Sequence, residues 1–178
     1  YALDGHKAVA DVAAGNGEVC AGLVHIRGQQ LYAHVLAVGN VLGNLGAVIR
    51  SAVAFGVDHI VLSSDSADIY NPKTVRAAMG TMFKVKVTIV SDFESFVEAA
   101  KACGRRIFAA ELSDNAKSVK EFGISKSDIF VIGNEGHGID AKISSKCTGS
   151  VFIPISNKAE SLNASVAAAV FMWEQNVL

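Results

Sequence analysis

The amino-acid sequence predicts an α/β protein with a mainly parallel sheet covered by helices on both faces. Three observations carry that expectation. From His34 onward, short β-rich runs alternate with helix-patterned segments, the signature of consecutive strand–helix–strand units. Two helix boundaries carry their own chemistry, Pro72 suiting a first helical turn and Asp92 an N-cap. Finally, 178 residues, 51% of them hydrophobic, suffice to bury one full core.

The elements follow in order. "HVLAV" at 34–38 is the first strand. A helix from about Leu45 to Phe55 then places Leu45, Val48, Ile49, Ala52 and Phe55 on one stripe at i, i+3, i+4 spacing. Arg50 falls off that stripe, with Gly46, Ala47, Val53 and Ala54 three and four positions away. The ordinary reading of such a residue is a snorkelling arginine, stem on the helix and head in water. "HIVLS", a helix near Pro72 to Met79, "KVTIV", a helix from Phe93 to Cys103 and "RIFAA" come next. "DIFVIG", a short helix near Ala141, "SVFIPI" and a last helix from Ser161 to about Asn176 complete the pattern. Residues 1–33, with the glycine-rich "AAGNGEVCAG", are read as an N-terminal extension or remnant of a substrate-binding segment, and 34–178 as one domain.

Bulk properties exclude some functions. No apolar run approaches the roughly 18 residues of a membrane span, and the N-terminus lacks the basic-then-apolar order of a signal peptide. A soluble, cytoplasmic protein is expected. The chain begins at Tyr1, which leaves room for an upstream segment. Cys20, Cys103 and Cys147 form no CxxC, and the five histidines no HxxxH or HxH pair. Buried or incidental thiols are expected and a metal enzyme is not. The net charge of −1 counts against holding nucleic acid by phosphate contacts alone. Two local clusters temper this: Lys73, Arg76, Lys84 and Lys86, and Lys101, Arg105 and Arg106. Solvated helix faces are the ordinary explanation of both.

Three loops after strands combine glycine with unusual polar residues, and in open α/β sheets ligands sit outside the strands' carboxyl ends. The first holds Asn44 and Arg50. The second, "GNEGHGID" at 133–140, lodges Glu135 among glycines that permit close backbone approach; a plain glycine turn is the alternative. In the third, "IPISNKAESLNASVAAAV", Ser161 suits an N-cap, but that does not account for Asn163, a mediocre helix former.

Together, NxGxxxR at 44–50, GNEGxG at 133–138 and IP followed by SLNxSVA at 153–167 resemble the three motifs of the SpoU/TrmH branch of the SPOUT RNA methyltransferases. Order and gaps match, and "PKTVRAAMGTMF" is similar to the family's segment between its second and third strands. The resemblance implies a deep C-terminal trefoil knot, an exception to the rule that chains avoid knots. It also implies a homodimer through the first and last helices, S-adenosylmethionine as methyl donor, and methylation of a ribose 2′-hydroxyl in ribosomal or transfer RNA, ribosomal RNA being favoured. Carried over by position, Ala110, Leu112, Gly133, Ile153 and Leu162 would hold the cofactor, while Asn44, Arg50, Glu135, Ser161 and Asn163 would form the catalytic group. Val41-Leu42 stands where the family often has Asp-Pro, and Asn157 where it usually has glycine; asparagine tolerates left-handed backbone.

Alignment of two reactants is worth roughly 7–11 kcal/mol against about 3–5 kcal/mol for a positioned acid or base, so positioning should dominate. A guanidinium with a pKa above about 12 is a poor proton acceptor. Arg50 is therefore expected to clamp RNA phosphate and favour the developing alkoxide. Two other readings compete: a knotted RNA-binding protein without turnover, and a Rossmann-type dinucleotide enzyme, whose glycine fingerprint would belong after the first strand rather than at 133.

Overall fold

A computed structural model describes residues 8–10, 25–26, 29–30, 35–38, 44–134 and 136–176. In chain order the elements are β1 (Ala8–Ala10), β2 (His25–Ile26), β3 (Gln29–Gln30), β4 (Val35–Val38), α1 (Leu45–Ala54), β5 (His59–Ser63), α2 (Pro72–Ala78) and β6 (Lys86–Val90). They continue as α3 (Phe93–Ala102), β7 (Ile107–Ala110), β8 (Lys117–Ser118), β9 (Ile129–Ile132), α4 (Ala141–Lys146), β10 (Gly149–Phe152) and α5 (Ala164–Asn176). Eight strands form one sheet in the order β1-β6-β5-β4-β9-β7-β10-β8, every pairing parallel. Strands β2 and β3 pair separately and antiparallel.

Hydrophobic side chains leave both faces of this sheet, as parallel sheets require. In β9 all four residues are buried, Phe130 and Ile132 facing one core while Ile129 and Val131 face the other. The first core takes Leu45, Val48, Ile49 and Ala52 of α1, Ala78 of α2, and Phe171 and Met172 of α5. Each leucine, valine, isoleucine, phenylalanine or methionine among them, fully buried, contributes about 1.5–3 kcal/mol. Phe171 stacks on Phe130 at 4.8 Å between ring centroids. Phe93, Phe96 and Val97 of α3 close the opposite face. Helices thus cover both faces, as the alternation predicted.

Gly46 has a packing reason. A Cβ there would lie 2.4 Å from the Thr74 carbonyl oxygen and 2.6 Å from the Ala77 Cβ, so only glycine lets α1 and α2 approach this closely.

The expected caps form where Asp92 accepts from the Ser95 N–H at 3.0 Å and Pro72 opens α2 behind an Asn71 cap. Two expectations are corrected. The last helix begins at Ala164, not Ser161, because the Asn163 Oδ1 accepts from the Ser165 N–H at 3.0 Å and from its hydroxyl at 2.6 Å. Asn163 thereby organises the first turn, and Ser161 stays in the loop. Asn157 is not left-handed: among described non-glycine residues only Met79 has positive φ. Strand β8 and the 3-10 turn Met82–Lys84 were not expected. The substitution of Val41-Leu42 lies outside the described residues. Cys147 is a buried free thiol whose pKa burial pushes up to about 11, which makes it a poor nucleophile, whereas Cys103 is disulfide-bonded rather than an incidental thiol.

Candidate active site

The chain leaves β4 in two directions. Strands β5 and β6 lie on one side, and β9, β7 and β10 on the other. This reversal of strand order makes a switch point, and the loops above it start at the carboxyl ends of β4, β9, β7 and β10. Those loops, and the helix that follows β4, hold the sequence-predicted positions: Asn44 before α1 and Arg50 within it, Gly133 after β9, Ala110 and Leu112 at and beyond the end of β7, and Ile153 and Leu162 after β10.

Ala110, Leu112, Ile153 and Leu162 line one pocket of about 370 Å³, together with Ser161 and with Phe171 from α5. Its wall is mainly apolar. Leu112 is 80% exposed and Ile155 40% exposed at this pocket, an arrangement of aliphatic surface that a flat heterocycle would cover. The volume falls in the range of ordinary small-molecule sites, about 300–1,000 Å³.

Gly133 lines a different, larger crevice of about 800 Å³, with Ser63, Asp65, Asp92, Glu94, His137 and Asp140 on its walls. The four carboxylates make this crevice acidic, ill suited to an RNA phosphate. Gly133 is tight for a local reason. A Cβ there would come within 2.5 Å of the Gly138 carbonyl, because the 133–138 loop folds back on itself. Asn134 and Gly138 exchange backbone hydrogen bonds of 3.0 and 2.8 Å, and the Asn134 side chain accepts from the Gly136 N–H at 2.6 Å. Gly138, at φ 69°, closes the turn. Asn134 is thus the loop's organiser, a role that sequence reasoning missed although an asparagine beside glycine is its usual signal. Glu135 lies outside the described residues.

Arg50 projects from the middle of α1 and is exposed; among the described residues it enters no ion pair. Helix α1 packs against both α2 and α5. Beside Arg50, Ser51 and Phe55 share a groove with Ser165 and Trp173 of α5, and Phe55 meets Trp173 edge-on at 5.9 Å. The guanidinium therefore leaves a helix seated against the element that Asn163 caps. Asn44 precedes α1, half-buried, with its carbonyl accepting from the Val48 N–H at 3.0 Å.

Glu111, not singled out in the sequence, also borders the smaller pocket. Its Oε1 accepts from the Ser144 hydroxyl and, at 2.9 Å, from the Ser150 hydroxyl, tying β7 to α4 and β10. No sequence pattern marks it, since the three residues meet only through sheet topology.

Comparison with known proteins follows this geometry. The family model described as the SpoU rRNA Methylase family matches residues 35–173. The 23S rRNA (guanosine(2553)-2′-O)-methyltransferase RlmP of Bacillus subtilis is 38% identical over 131 residues, 74% of this chain and 52% of that protein. Among solved structures, the SpoU methyltransferase AviRb from Streptomyces viridochromogenes in complex with AdoMet aligns with a TM-score of 0.68 at 31% identity, over 79% of this chain and 57% of that one. An AdoMet-bound rRNA methyltransferase from Sinorhizobium meliloti aligns with a TM-score of 0.72 at 28% identity, over 80% of this chain and 55% of that one. The chain spans about half the length of the curated relatives it matches. It belongs to the SpoU rRNA methylase family.

Proposed function

From membership of the SpoU rRNA methylase family, we propose that this chain carries S-adenosylmethionine-dependent methylation of a ribose 2′-hydroxyl in RNA, ribosomal RNA before transfer RNA. The observation that carries the reading is the convergence of Ala110, Leu112, Ile153, Leu162 and Ser161 on one apolar pocket at the switch-point end of the sheet. The relatives named as 23S rRNA 2′-O-methyltransferases support the substrate class.

The cofactor, when bound, supplies an electrophilic methyl group on a sulfonium. Ala110 and Ile153, at the ends of β7 and β10, would offer backbone groups to it, while Leu112 and Leu162 would cover its heterocycle. Gly133 faces the larger crevice and is given no part in this pocket. Arg50, exposed on α1, binds RNA phosphate and stabilises negative charge growing on the ribose oxygen. A guanidinium is a poor proton acceptor, so it clamps charge and does not take the proton. Asn44, Glu135, Ser161 and Asn163 orient the ribose and the arginine. We further propose a trefoil knot formed by the segments around β9, β10 and α5, and a homodimer seated on the α1–α5 groove where Phe55, Val166 and Trp173 come together. The cytoplasm is the compartment, and residues 1–33 serve as an extension toward substrate.

The test is transfer of labelled methyl from S-adenosylmethionine to RNA, with the product read by resistance of the adjacent phosphodiester to alkali. A 2′-O-methylated nucleotide is the expected product. Label on a base, or specific RNA binding without any transfer, would overturn the reading.

A further inference from the structure

We propose that the segment from α2 through the following 3-10 turn is an RNA-docking ridge beside Arg50, gripping the strand that flanks the target nucleotide. This rests on the methyltransferase reading above and adds a surface outside the cofactor pocket and outside the three motifs at 44–50, 133–138 and 153–167, in the 72–83 segment whose resemblance to the family carries no assigned role.

The ridge combines three observations. First, its apolar side chains face solvent: Met79 is 69% exposed, Phe83 67% and Val75 41%. An exposed phenylalanine among cations is a stacking platform for an unpaired base, and such stacking tolerates any base because each has a π-face. Second, residues 70–84 contain Lys73, Arg76 and Lys84 and no carboxylate, in a chain of net charge −1. Among the described residues none of these three cations enters an ion pair. Their charge is available to a polyanion rather than spent inside the fold. Third, the backbone is shaped to present them. Met79 ends α2 at φ 50° and Gly80 follows at φ 78°. A left-handed backbone disfavours a residue with a Cβ where glycine would fit freely, and the consequence is a long flexible side chain held out in water between Arg76 and Phe83.

Position ties this surface to the active site. Gly46 and Arg50 lie four residues apart and so share one face of α1. Gly46 abuts Thr74, Ala77 and Ala78 of α2, and α1 also touches the 3-10 turn that carries Phe83. Arg50 therefore emerges alongside the end of α2. An RNA strand whose phosphate meets Arg50 has Arg76 and Lys84 next along its path and Phe83 as a place to lay a base. Charge decides between occupants: a protein partner fits exposed Met and Phe equally well, but uncompensated cations on both sides fit phosphates.

The experiment compares wild type with Phe83→Ala, Phe83→Tyr and the double variant Arg76→Ala/Lys84→Ala. Each is titrated with a labelled 20-nucleotide single-stranded RNA at several salt concentrations, and separately with S-adenosylmethionine. All substituted residues are exposed, so the fold should survive, and thermal melts check this. Phe83→Ala should weaken RNA binding about tenfold and Phe83→Tyr should restore it. The double variant should lower the slope of log affinity against log salt by about 1.4, or roughly 0.7 per lost contact. S-adenosylmethionine affinity should not move. Unchanged RNA affinity and salt slope would overturn the proposal, as would a shift of the sedimentation coefficient to monomer in Phe83→Ala, which would make the ridge a protein interface. Wild-type transfer of methyl to RNA is scored independently, so loss of the ridge proposal leaves the methyltransferase reading standing, and failure of transfer with an RNA-binding ridge contradicts only the latter.

Discussion

Two arginines of this fold are treated in opposite ways. At the amino end, Arg106 binds the fully buried Asp128 through two nitrogens at 2.8 and 2.7 Å and lies over the rings of Phe108 and Phe122. Asp128 also accepts from the Ser125 N–H at 2.7 Å, while its own carbonyl accepts from the buried Gln175 of α5 at 2.9 Å. The same end holds His59, buried against Thr88 at 2.9 Å. Every one of these polar groups is engaged within the protein. On the helix that leaves the carboxyl end of β4 Arg50 stands exposed, and Ser161 lies in an open loop after β10. Polar groups that satisfy one another hold a fold together; polar groups left facing solvent beside a pocket are available to a ligand. The comparison assigns stability to the amino end of the sheet and leaves the polar groups beyond its carboxyl end open to a ligand.

The sharpest way to break that division is to exchange its consequences. Arg50→Ala should lower methyl transfer about 10²–10³-fold, the usual effect of removing one charge-stabilising donor, with melting temperature and S-adenosylmethionine affinity unchanged; equal loss of cofactor binding would contradict its role. Asp128→Ala should do the reverse, losing about 3 kcal/mol in denaturant unfolding because a buried partner of Arg106 disappears, while transfer per folded molecule persists. The amino end should also set the acid limit. Burial, aided by Lys86, pushes the His59 pKa down to about 4 from 6.5. The unfolded chain therefore binds the extra proton first, and stability present above pH 6.5 is lost as pH falls toward 4, by roughly 3 kcal/mol at most. His59→Gln should flatten that part of the pH–stability curve. Asn163 straddles the division and gives the smallest effect on stability. Asn163→Asp keeps the cap and Asn163→Ala removes it, at about 1 kcal/mol. If both lose transfer alike, the amide serves catalysis; if only the alanine variant does, it serves the helix.

Much of the fold was legible because its signals are local. "HIVLS" and "KVTIV" became β5 and β6 with the predicted bounds, and Asp92 capped α3 as its residue type implies. The start of α5 was misplaced because two capping residues, Ser161 and Asn163, stand two apart, and only geometry shows which side chain reaches Ser165. The strand order could not be read at all. That β9 inserts between β4 and β7 is a long-range property, and it alone brings residues 110, 153 and 162 to one pocket while sending Gly133 toward another. For the same reason Gly46 and Gly133, legible as motif glycines, gave no hint that backbone crowding by Thr74 and Gly138 is what excludes a side chain.

The division between the two ends, and the choice between the two cavities, meet in one measurement: a crystal structure of the chain grown with S-adenosylmethionine. Density for the cofactor is expected against Ala110, Ile153 and Leu162, with the Asp128–Arg106 pair undisturbed. Cofactor density in the acidic crevice between Asp65 and Asp140, with the apolar pocket empty, would contradict it.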